Sequence, residues 1–161
     1  MLLRDEKGSV LIAELLVVMV LLMALTFGGV DYWMMMTQFQ QADHLKNQYL
    51  DHIRLNGCLD ETSKTVLINR LEELGFEGKD GGEITISVTK VGDPTVIYTE
   101  ANRAVRKVGD KAADIPEILF TIEGKFKKDK FWISTMLSSS EDGIVPFKLQ
   151  GTTYSEFVER S

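Results

Sequence analysis

The sequence predicts an α+β protein: one long N-terminal transmembrane helix continuing into an extracytoplasmic domain made of a short helix and an antiparallel β-sheet. Three observations predict it. Residues 10 to 30 carry one strongly polar side chain, Glu14, and about 20 helical residues are enough to cross a hydrocarbon core of ~30 Å. Residues 31 to 55 contain neither proline nor glycine, and Phe39, Ala42, Leu45, Tyr49 and Ile53 recur at spacings of three and four, so the helix runs on with one apolar face. Beyond residue 80, short runs alternate apolar and polar residues between glycine-rich and charged stretches, which is the pattern of half-buried strands.

The domain organisation follows in order. Residues 1–8 form a cytoplasmic leader, 9–31 the transmembrane helix, 32–56 its amphipathic continuation and 57–161 the extracytoplasmic α+β domain. A cleaved secretory signal is the competing account of the first segment, because Arg4 and Lys7 make a charged start and Thr26 and Gly28 supply small residues. Its apolar region usually spans only about 7–15 residues, and Asp5 and Glu6 offset the basic pair, so a retained helix is favoured. Arg4 and Lys7 precede the span while the first basic residue after it is Lys46, which puts the N-terminus inside and the bulk of the chain outside. Tyr32 and Trp33 fall where an outer interfacial aromatic pair belongs. Gly28 and Gly29 each weaken the helix by up to ~1 kcal/mol relative to alanine, so a kink or local melting is expected there. Asn56 and Gly57 end it.

In the outer domain, "NGCLDETSKTVLINRLEELGF" predicts a helix capped by Asp60, with Leu67, Leu71 and Leu74 on one face and Gly75 just past its end. "EITISVTK" alternates Ile84, Ile86 and Val88 with Thr85, Ser87 and Thr89 and reads as a strand. "TVIYTE", "EILFTIEGKF" and "KFWISTMLSSS" read as further strands, with "GKFKKDKF" as a hairpin turn between the last two. A final strand is expected in "IVPFKLQGTTYSEF", where Pro146 marks an edge or a bulge. There is no internal repeat.

Composition narrows the function. The 161-residue chain has a formal net charge of -6, which argues against a general nucleic-acid binder. Cys58 is the single cysteine, so no intrachain disulfide forms. His44 and His52, eight residues apart on a helix, are separated by about 12 Å along the axis, too far to share a metal, and read as solvated positions. Cys58 reads as a small core residue, since no activating constellation accompanies it. Glu72 and Glu73 fit the solvated side of a helix, and the glycines of "KDGGE" lack the lysine and following helix of a phosphate loop, so they mark a turn. Lys125, Lys127, Lys128 and Lys130, with Phe126 and Phe131, offer contacts to an anionic polymer, but a solvated turn protecting a sheet edge is the simpler account. No catalytic, metal or cofactor site is expected, nor a small-molecule substrate.

Glu14 remains to be explained. A carboxylate within hydrocarbon costs roughly 2.5–3.5 kcal/mol unless it snorkels, is protonated or meets a partner. A charged leader ending in Lys7 and Gly8, then Ser9 and apolar residues, then the acid and a long helix, resembles the class III signal of type IV pilins and pilin-like proteins. The resemblance implies cleavage by a prepilin peptidase at Gly8 or Ser9, retention of the helix, and pairing of Glu14 with the terminal amine of a neighbouring subunit during assembly. In that family the acid is fifth in the mature chain after a glycine; cleavage after Gly8 makes Glu14 sixth, and cleavage after Ser9 makes it fifth with serine before the cut. No cleavage at all is the third alternative. "GCLDETSKTVLINRLEELGF" and "GTTYSEF" also look like TadE-like pseudopilin membrane proteins of tight-adherence and conjugative loci. The implied function is a structural subunit, not an enzyme, of a pilus-like, tight-adherence or conjugation-associated assembly. Its implied partners are membrane lipid, like or related pilin subunits and the prepilin peptidase. The alternative is a secreted or single-pass membrane-anchored binding domain acting as a monomer.

Overall fold

A computed structural model describes residues 3–79, 82–111, 114–127 and 146–158, with side chains from residue 11 onward. Among the described residues the chain divides between Thr37 and Gln38 into two compact units. Helix α1, Leu3–Asn56, begins within the charged leader and enters both. It passes through Gly28 and Gly29 without leaving helical geometry, so the expected melting does not occur. Two glycines among strong helix formers cost about 2 kcal/mol together, and a break in an apolar run would leave backbone N–H and C=O groups without partners, which costs more.

In the first unit α1 is one long apolar helix. From Leu15 to Met23 the side chains are 54–64% exposed around the full circumference, and the segment is long and apolar enough to span a membrane. Such a helix has no face for water and requires lipid or other helices around it. The Thr26 hydroxyl donates to the Leu22 carbonyl at 2.8 Å, so it brings no unsatisfied donor into that stretch.

In the second unit, the end of α1 is fixed by Gly57, which has φ of 70°. A Cβ there would lie 2.6 Å from the Ala104 carbonyl oxygen, so the position needs glycine for both conformation and space. Helix α2, Glu61–Glu73, starts as expected: the Asp60 carboxylate accepts from the Ser63 N–H at 2.9 Å. Gly75, at φ 96°, follows its end, and its N–H donates to the Glu72 carbonyl. Leu67, Ile68 and Leu71 are its buried face.

Five strands make one antiparallel sheet: β1 (Phe76–Glu77), β2 (Thr85–Lys90), β3 (Asp93–Ile97), β4 (Glu117–Phe126) and β5 (Pro146–Tyr154). β4 is central. β5 pairs along one side of it from Glu117↔Tyr154 to Lys125↔Pro146. On the other side β2 and β1 follow each other in a single lane, and β3 lies beyond β2. Ile118, Phe120 and Ile122 of β4 are fully buried on one face; Val88, Phe147 and Leu149 are buried with them. Phe76 and Phe147 ring centroids are 4.4 Å apart, and Phe76 and Phe126 are 4.6 Å apart, both pairs tilted. Ala42 and Ile53 of α1 are completely buried, and Leu50 closes on Gly151 of β5, where a Cβ would meet it at 3.1 Å.

Several expectations change. Phe39 stays 37% exposed, because the buried part of the helix face begins at Ala42. β3 starts two residues earlier than "TVIYTE", directly after the tight turn at Gly92, and Thr99 turns away to pair with Asn102. β5 ends at Tyr154, not Phe157, because Pro116 precedes its partner Glu117 and has no N–H with which to extend the ladder. Pro146 is the first residue of β5, and that strand has a partner on one side only among the described residues. Gly124, Lys125 and Phe126 belong to β4 and not to a turn. The expected strand "KFWISTMLSSS" lies outside the described residues.

Candidate functional site

Gly8 and Ser9 lie inside α1, whose backbone is helical at both positions. Glu14 projects from the apolar helix beside Leu11, Leu15, Val18, Met19 and Leu22. It is exposed and forms no ion pair among the described residues. The three residues singled out in the sequence therefore lie within two turns of one helix. Nothing else in the described chain converges on them.

The other candidates sit in the second unit. His44 is exposed. His52 Nε2 is 2.9 Å from Asn56 Nδ2 and 3.9 Å from an Asp60 oxygen, so it belongs to the polar junction between α1 and α2. The Asp60 carboxyl is held below its ordinary range, chiefly by the Ser63 N–H and hydroxyl, with His52 adding a smaller pull. Cys58 is buried, and burial pushes its thiol up, which keeps it protonated and poorly nucleophilic. No group of three or more metal-ligating side chains occurs among the described residues. Glu72 and Glu73 are exposed on α2, as expected.

The basic cluster is broken up by the fold. Lys125 is 8% exposed in β4, with its ammonium 3.4 Å from Glu77 of β1, and Phe126 is a core residue. Lys127 is half-buried, while Lys128, Lys130 and Phe131 lie outside the described residues. The tract that reads as a solvated turn thus contributes its first three residues, Gly124, Lys125 and Phe126, to the sheet.

Sequence reasoning missed a strap formed by residues 155–158. The buried Ser155 hydroxyl donates to the Ala104 carbonyl, and the Ser155 N–H donates to the Pro116 carbonyl at 3.0 Å. The Glu156 N–H then caps the Arg54 carbonyl of α1 at 2.8 Å, and the Arg106 N–H reaches the Phe157 carbonyl at 2.7 Å. The Arg103 guanidinium stands 5.2 Å from the Phe157 ring centroid. Every one of these partners is distant in sequence, so no local signal announces them. No protein-family model, curated protein or solved structure matches the chain.

Proposed function

We propose that the chain is a structural subunit, a minor pilin or pseudopilin, of a pilus-like, tight-adherence or conjugation-associated assembly. It is inserted by its one N-terminal helix, with the N-terminus cytoplasmic and the α+β domain outside. The observation that carries this reading is Glu14, a carboxylate without an ion-pair partner among the described residues, on a helical segment whose other side chains from Leu11 to Leu25 are apolar. Lipid satisfies the leucines but not the acid, whereas a cation from a neighbouring helix satisfies it in a low-dielectric bundle. The freed terminal amine of a processed neighbour is such a cation, which gives cleavage at Gly8 or Ser9 a physical purpose.

The test is crosslinking in membranes at equal expression of the wild type and Glu14→Ala. Insertion of the alanine variant is expected to be unimpaired, because it removes a penalty of up to ~3 kcal/mol, while its oligomer yield falls. Intact mass of the same preparations is expected to show a mature start at Ser9 or Val10. Unchanged oligomer yield would make the helix a simple anchor for a monomeric domain.

A further inference from the structure

Where β2 and β5 finish and β4 begins, the sheet ends in a cavity of about 520 Å³ lined by Lys90, Tyr98, Asp114, Pro116, Glu117 and Tyr154. Small-ligand sites typically occupy about 300–1,000 Å³. Glu117 and Tyr154 are register partners, so their side chains leave the same face of the sheet side by side. Tyr154 is 54% exposed. Tyr98 is 8% exposed; its hydroxyl makes no hydrogen bond among the described residues and is not one of the fully buried atoms, so it opens to the cavity. Burial pushes that phenol up, so it stays a neutral donor and acceptor.

The charge balance selects the ligand. Asp114 and Glu117 are unpaired among the described residues. The one lining cation among the described residues, Lys90, forms no ion pair with either carboxylate and offsets only one of the two charges, so the cavity keeps a net negative charge. Two free carboxylates repel an anion and are too polar for a wholly apolar guest. They complement a cation, and a tyrosine face beside them attracts the same charge.

We infer that this cavity binds an ammonium or guanidinium group on an aliphatic stem, the cation held by Asp114 and Glu117 and the stem lying along Tyr154 and Pro116. The inference concerns the outer domain alone and stands whether or not the N-terminal helix assembles. A basic side chain of another polypeptide and a free alkylamine share this chemistry.

The test is a methyl NMR titration of the full chain in detergent micelles, read at Val91 and Ile115, which also line the cavity. The probes are n-butylammonium and N-acetyl-lysine methylamide, with butyrate as the anionic control. Saturable shifts with either cation and none with butyrate are expected. Binding of the lysine amide alone identifies a polypeptide source, binding of n-butylammonium alone a free amine, and binding of both the shared chemistry. Glu117→Gln combined with Asp114→Asn is expected to weaken binding by about tenfold or more, as loss of a charge-assisted contact requires. Tyr154→Leu, at an exposed position, is expected to weaken it without disturbing the remaining methyl spectrum. No saturable shift with either cation, equal shifts with butyrate, or unchanged affinity in both variants would overturn the inference.

Discussion

The Asp60 side chain shows what one residue sets locally. Its carboxylate satisfies the Ser63 N–H at the start of α2, and the same hydrogen bonds depress its pKa. A depressed folded pKa contributes stability above the unfolded carboxylate range, near pH 3.9, and that contribution is lost as pH falls through the folded value. Asp60→Ala is therefore expected to lower stability at neutral pH by about 1 kcal/mol. Asp60→Asn keeps the acceptor, so it is expected to lose less and to show a weaker acid dependence. Urea unfolding of the full chain in micelles at neutral and acid pH measures both; parallel acid profiles for wild type and Asp60→Asn would contradict the assignment. The cap is legible in the sequence because donor and acceptor are three residues apart. Lys125 is the opposite case, since its partner Glu77 lies on another strand and nothing beside it in the sequence signals burial.

At the scale of elements, what could be read was what is periodic. "EILFTIEGKF" coincides with β4, because its alternate Ile118, Phe120 and Ile122 are the fully buried face of the central strand. Strand ends were less legible, since they depend on partners: Pro116 ends the β4–β5 ladder and the turn at Gly92 starts β3. Thr89 breaks the simple alternation of β2, being buried on the face opposite Val88 between Leu119 and Ile97. The junction of β1, β4 and β5 rests on the Phe76, Phe126 and Phe147 rings. Gly124 leaves room for Phe147, whose ring carbon lies 2.7 Å from where a Cβ would stand. Phe147→Ala is expected to cost about 3–5 kcal/mol, read as a lowered denaturant midpoint of the near-ultraviolet signal. A loss below about 1 kcal/mol, the scale of a surface change, would mean that these rings do not act as one core.

Across the whole molecule the apolar surface is distributed in two different ways. From Leu11 to Trp33 the large apolar side chains are exposed almost without interruption. Among the described residues from Gln38 on, the exposed ones, such as Leu55, Val66, Ile97 and Val108, are scattered singly, while Ile53, Leu67, Phe76, Phe120 and their neighbours fill a core. Isolated exposed apolar residues are ordinary on a water-soluble surface, whereas a continuous apolar run is not. The contrast was legible in the sequence because it is compositional. What Glu14 meets was not, because none of the described residues pairs with it, and in the proposed assembly its partner would come from another molecule. It follows that residues 38–161, expressed without the preceding segment, are expected to remain soluble and to show mixed helix and strand by circular dichroism, while the full chain requires detergent. The shortened α1 still supplies Ala42, Leu50 and Ile53, the residues that the core and Gly151 engage, so the fragment is expected to unfold cooperatively. An aggregated or non-cooperative fragment would show that the sheet depends on the segment before Gln38, and that the second unit is not a domain in its own right.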